Sequence, residues 1–236
     1  MTTKDFYIFG SRNYLTTFYA TADIREEAFR NHDHELARKI NYELEMGIYD
    51  NYKFPIVYRE ENGYSGKKMR DVLDNRNIVN YLISDRMRDL LINNNITGWK
   101  CYEIEMYDKK GNIIPGYSGF STIGKCNSII KIDYGNIVER KNAFYAVGAE
   151  FEINEWDGSD IFKMGNSGYR IITRKVRDLF KKNKITAIKM DRLTDYECFL
   201  SWTKERALAR SIIEAKEQNE RIEAFEKERA MERCSK

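Results

Sequence analysis

Histidine and proline are scarce in this 236-residue chain, with two of each. The histidines, His32 and His34, share one segment, so a catalytic cysteine or serine has little choice of base. Residues two apart do not share a helix face, and Leu36, Ile40, Tyr42, Leu44 and Met46 read as helical. Asp33 therefore reads as a helix N-cap rather than a metal ligand between the histidines. The four cysteines, Cys101, Cys126, Cys198 and Cys234, form no CxxC pair and match no zinc-site spacing. They read as the buried or incidental thiols of a reduced compartment. Long apolar runs are lacking too: the longest stretch free of charged side chains, Gly111 to Gly124, is 14 residues and polar. A membrane helix needs about 20 apolar residues. Met1 to Phe9 lacks the pattern of a signal peptide, so a cytoplasmic location is expected. There is no GxSxG and no HExxH. Gly116-x-x-Gly119 and Gly165-x-x-Gly168 lack the strand–helix setting of a phosphate loop and read as turns. The sequence points to no cofactor and no metal ion.

What is present is enough for a core: 42% hydrophobic residues and 13% aromatic. The net charge of +3 decides nothing about partners by itself. The informative feature is a repeat. Shifted by 89 residues, 71–100 aligns with 160–189 without a gap, and ten of 30 positions are identical. The identities are Asp71/Asp160, Asn77/Asn166, Ile83/Ile172, Arg88/Arg177, Asp89/Asp178, Leu90/Leu179, Asn94/Asn183, Ile96/Ile185, Thr97/Thr186 and Lys100/Lys189. A recurring unit of this kind is a repeated supersecondary element.

Each copy reads as strand–helix–strand. Leu82-Ile83 or Ile171-Ile172 leads in, and Ser84 or Thr173 stands at the N-cap. Met87, Leu90 and Leu91, or Val176, Leu179 and Phe180, make one buried helix face. Asn94 or Asn183 is placed for a left-handed residue at the end, and a second strand begins at Thr97 or Thr186. Elsewhere, Phe6 to Ala20 reads as one or two strands, followed by a helix stopped by Gly47. Phe54 to Tyr58 reads as an edge strand because of Pro55, and Asp108 to Asn112 as a hairpin turn. Trp202 to Arg233 lacks Gly and Pro and reads as one long helix with a stripe of Leu208, Ile212, Ala215, Ile222 and Phe225. The expected fold is α+β: two related strand–helix–strand units on mainly antiparallel sheet in a compact body over 1–200, and a C-terminal helix over 201–236. Monomer and dimer are both open.

Charge separates the copies. Asp74 to Glu103 holds four basic and four acidic residues, whereas Lys163 to Arg192 holds ten basic and two acidic. Most such runs are solvated faces. The functional alternative is a docking patch of Arg174, Lys175, Arg177, Lys181, Lys182 and Lys184, facing an acidic protein or a nucleic acid. Arg177, matching Arg88, also fits a structural pair with a neighbouring acid. A third reading is a metal-dependent hydrolase that uses Glu150, Glu152 and Asp160, which requires those carboxylates to converge.

The strings Trp156-Asp157-Gly158-Ser159-Asp160-Ile161-Phe162, Ile171 to Leu179, Ile185-Thr186 and Gly116 to Cys126 resemble a bacterial family. These are immunity proteins of polymorphic toxin systems with duplicated strand–helix–strand units. The resemblance covers roughly 71–194 and carries over no catalytic residue. It implies a non-enzymatic protein that docks on a cognate toxin. A basic second copy departs from the acidic surface that mimics nucleic acid, so the expected toxin domain has an acidic face. The alternative is a nucleic-acid-associated protein using the same basic helix.

Overall fold

The computed structural model describes residues 3–12, 16–61, 63, 65–75, 78–165 and 168–234. The Asn77/Asn166 identity falls outside them. The chain is α+β, with strands mostly in antiparallel sheets. Five α-helices are present among the described residues: α1 (Asp23–Arg30), α2 (His34–Met46), α3 (Asp85–Asn93), α4 (Arg174–Lys182) and α5 (Lys204–Cys234). None is long and apolar enough to cross a membrane.

The two copies build matching sheets. The first sheet runs Val72–Asn75, Ile78–Ser84, Tyr117–Thr122, Trp99–Tyr102, all neighbours antiparallel. The second runs Ile161–Met164, Arg170–Thr173, Phe6–Ser11, Ile188–Arg192, again antiparallel. Gly124–Cys126 adds a parallel edge strand to the second. Each copy is therefore a hairpin followed by a helix and a strand, one strand more than the sequence reading gave. A fourth strand must enter from outside the copy, between the hairpin and the last strand. It follows the copy in the first sheet and comes from the N-terminus in the second. The registers still match: Phe120 lies opposite Tyr81 and Cys101, and Phe9 opposite Arg170 and Met190, 89 residues on in each case.

The faces turned toward each other make one shared core. Val72, Ile83, Met87, Leu91, Ile96 and Phe120 meet Ile161, Ile172, Val176, Phe180, Ile185 and Phe9, position for position. These are the apolar positions of a period-2 strand and an i, i+4 helix face. The outer face of the first sheet, with Leu73, Leu82 and Tyr102, is covered by Ala37, Ile40 and Leu44 of α2. The outer face of the second, with Phe6, Phe162 and Ile171, packs on Cys126, Ile130, Phe151 and Leu193.

Local signals explain most element ends. Asp33 accepts a hydrogen bond from the Leu36 N–H at 2.9 Å, and Gly47 ends α2 at φ +70°. Ser84 accepts from the Met87 N–H at 3.2 Å. Thr173 does not cap α4; its hydroxyl instead donates to Asp160 at 3.2 Å. Asn94 and Asn183 are not left-handed. Their side-chain amides donate to the Leu90 and Leu179 carbonyls at 2.8 and 2.9 Å, satisfying orphan acceptors. The left-handed residues are the next ones, Asn95 and Lys184. Ile56–Glu60 is not an edge strand. It lies between Ala20–Ala22 and Ile104–Tyr107, and Pro55 precedes it, where its missing N–H interrupts no ladder. Gly119 is in a strand, not a turn, and makes room for the Tyr102 ring, from which a Cβ would lie 2.0 Å.

α5 lies against the body. Ala207 and Ser211 are buried, and Gln218 grips the Ile132 backbone twice, accepting at 2.8 Å and donating at 3.1 Å. Arg229 pairs with Glu155 at 2.5 Å. The expected single stripe is split: Ala215, Ile222 and Phe225 are at least half-buried, whereas Leu208 and Ile212 are exposed.

Candidate functional site

α4 buries Val176 and Phe180 and presents its basic face outward. The structure assigns acidic partners to most of that charge. Arg174 pairs with Asp5 at 2.6 Å. Lys175 pairs with Asp160 at 3.0 Å and donates to the Asn95 carbonyl at 3.2 Å. Arg177 pairs with Asp178 at 2.5 Å and stacks over the Tyr7 ring at 5.1 Å. Its match, Arg88, pairs with Asp85 and Asp89 at 2.8 and 3.0 Å, so this identity is structural. Lys163 and Arg170 both reach Glu45, and Lys189 reaches Asp191. Arg192 donates to the Tyr7 hydroxyl, and that contact raises its pKa above the ordinary guanidinium value. Asp5 and Glu45 lie far off in sequence, and nothing in the local pattern announces them.

Lys181, Lys182 and Lys184 remain. All three are exposed on the turn that ends α4, and none meets a carboxylate within salt-bridge distance among the described residues. The structure thus brings three of the six candidate cations together as open charge and holds the other three in ion pairs.

The Trp156–Asp160 string is a knot in the fold. Asp157 accepts from the Lys125 N–H at 2.7 Å and the Ser159 N–H at 2.9 Å. The Trp156 indole donates to the Ser159 carbonyl at 3.0 Å, and its ring stands edge-on to Phe6 at 5.1 Å. Gly158 takes φ +86° in the turn. A Cβ on neighbouring Gly98 would sit 1.9 Å from the Ile161 carbonyl oxygen. The side chains of Trp156, Asp157, Ser159 and Asp160 all make contacts within the fold.

Two of the three carboxylates named for the hydrolase reading are held by other partners. Asp160 is turned into contacts with Thr97, Thr173 and Lys175, while Glu152 pairs with Lys131 at 2.7 Å. No group of three or more His, Cys, Asp and Glu side chains suited to a metal ion occurs among the described residues. Burial pushes Cys101 up to about 12 and Cys126 up to about 11, and raises Cys198. No family model matches the chain, and no curated protein matches it.

Proposed function

We propose that this chain is a non-enzymatic binding protein of the immunity type, docking on a cognate toxin through the turn that ends α4. The observation that carries the reading is a contrast within the molecule. The positions equivalent to Lys181, Lys182 and Lys184 are Ile92, Asn93 and Asn95. The first copy forms the same nine-residue helix, the same asparagine cap and the same left-handed residue without a cation at any of them. The three lysines are therefore not required by the fold. The helix dipole accounts for only about 0.3–1 kcal/mol of advantage per cation there. Open charge of one sign steers association with a surface of the other, so the partner presents an acidic face. Arg177 lies one turn before Lys181, whereas Arg174 and Lys175 open α4; all three are ion-paired and add little open charge. The resemblance to immunity proteins makes that partner a toxin domain.

The nucleic-acid alternative needs a ring on which bases stack. Phe180 is buried beneath the helix, and Tyr169 packs against Tyr196 at 5.8 Å. The observations favour a protein.

The test is capture and growth rescue in the cells that make the chain. Wild type is expected to capture a toxin and to relieve its growth inhibition on co-expression. Lys181→Glu/Lys182→Glu/Lys184→Glu, which changes exposed side chains only, is expected to slow association at least about tenfold. Unchanged affinity in that variant removes the site. Oligonucleotide binding that falls steeply with salt, and is lost in the same variant, transfers the site to nucleic acid.

A further inference from the structure

The outer face of α5 carries apolar side chains that the fold leaves uncovered. Ala207 and Ser211 point into the body. At 3.6 residues per turn this sends Leu208, Ala209, Ile212 and Ile213 elsewhere. Leu208 is 47% exposed, Ile212 72% and Ile213 56%, and Ala209 is exposed beside them. Trp202, 69% exposed, stands just before the helix and packs on Phe199 at 5.2 Å. Single exposed apolar residues are ordinary; a contiguous group marks an interface.

The two ends of this stripe carry opposite charges. Glu205, Ala209, Ile212 and Lys216 follow one another at steps of four, three and four, the spacing of a helix-pairing seam. Glu205 and Lys216 are both exposed. A two-fold contact requires a surface that is complementary to itself after a half-turn. Place the axis between Arg210 and Ser211, with the two helices antiparallel. Glu205 of one copy then meets Lys216 of the other, Ala209 meets Ile212, and both matches occur twice. Lys216 also lies 3.8 Å from Glu220 of its own helix, an exposed pair that leaves its ammonium open to a second carboxylate.

We propose that a second copy of this chain covers the stripe, through antiparallel pairing of α5 about that axis. The small Ala209 lets the helices approach, Ile212 fills the space, and the charge pairs fix the direction. The contact is one stripe of a single helix, so the dimer is expected to form in the micromolar range. The proposal is independent of the lysines of α4.

Sedimentation equilibrium of the full chain, from about 1 to about 300 μM, tests it. The mass is expected to rise from 28.0 kDa toward twice that value. Ile212→Glu is expected to stay at 28.0 kDa with an unchanged circular dichroism spectrum, since the residue is 72% exposed in the monomer. Glu205→Lys and Lys216→Glu should each weaken the dimer about tenfold, and the double variant should restore it. Three results overturn the proposal. One is a wild type that stays monomeric throughout, which leaves the stripe to a different protein. The second is a dimer indifferent to Ile212→Glu. The third is a double variant no better than the single ones.

Discussion

The Asp71 carboxylate accepts hydrogen bonds from both the N–H and the hydroxyl of Thr186, each at 2.7 Å. Exactly the same contact would be trivial between neighbours, but these residues belong to different copies of the repeat. The second copy returns it: Asp160 accepts from the Thr97 N–H at 3.1 Å and its hydroxyl at 3.3 Å. Each aspartate also binds the hydroxyl that ends its own hairpin, Ser84 at 2.9 Å or Thr173 at 3.2 Å. Each is paired by the cation two residues further on, Arg86 at 2.5 Å or Lys175 at 3.0 Å. Those cations reach across to backbone carbonyls of the other copy, Asn183 and Asn95. The repeat thus encodes a pseudo-two-fold clasp around the shared core.

The clasp is not symmetric in burial, and that sets an expected order of stability. The Asp71 side chain is 8% exposed and that of Asp160 is 15%. Hydrogen bonds to a charged group are worth more where water is excluded. Asp71→Ala should therefore cost about 2–4 kcal/mol and Asp160→Ala about 1–2 kcal/mol. Urea denaturation of the two variants measures both. Equal losses, or a larger loss at Asp160, would contradict this order, and no loss at either would contradict the clasp as the reason for these identities.

The clasp also shows how much was legible in the sequence. The identities Asp71/Asp160 and Thr97/Thr186 stood out in the alignment, and so did the helix between them. Their purpose did not, because each residue binds the other copy and no local pattern states that. Thr173 reads as a cap like Ser84, yet only Ser84 both donates to its aspartate and accepts from its helix; Thr173 makes the first contact alone. The missing strand of each sheet comes from outside the repeat, so the alignment could not contain it. At the candidate site the six cations were legible as charge. Asp5 and Glu45, which neutralise three basic residues of the second copy, were not, since ion pairing across long separations leaves no periodic trace. The α5 stripe reads as one face, and helix geometry does keep Leu208 and Ile222 within about 40° of each other; what the sequence does not show is that the body meets the first turns of α5 through Ala207 and Ser211, which leaves Leu208 exposed.

Acid should loosen the clasp at Asp71. Burial tends to raise its pKa, but hydrogen bonds from Arg86, Thr186 and Ser84 outweigh this and hold it below the ordinary 3.8. A folded-state value below the unfolded one gives stability that is complete above about pH 4 and fades as pH falls through the folded value. The stability difference between wild type and Asp71→Asn should therefore be constant from about pH 5 to 8 and shrink below about pH 4. Denaturation midpoints over that range measure it. A difference that grows on acidification would reverse the assigned direction.

The last expectation concerns Glu45, which joins α2 to the second copy. Its carboxylate pairs with Arg170 at 2.6 Å and with Lys163 at 2.9 Å, and all three side chains are nearly excluded from water. Arg170 also lies over the ring of Tyr81 at 4.4 Å, and these two occupy equivalent positions of the repeat. Glu45→Gln keeps the shape and removes the charge. It leaves two cations in a site built for a net charge of plus one, and a buried pair broken on one side costs about 3–5 kcal/mol. Adding Lys163→Met to Glu45→Gln removes one of the stranded charges. The double variant should then be more stable than Glu45→Gln alone, by about 1 kcal/mol or more, because residues in one network do not add. Hydrogen exchange should localise the damage to Ile161–Met164 and Arg170–Thr173, the strands that carry the two cations. If Glu45→Gln costs less than about 1 kcal/mol, water or another group compensates the cations, and α2 is held by its apolar face alone.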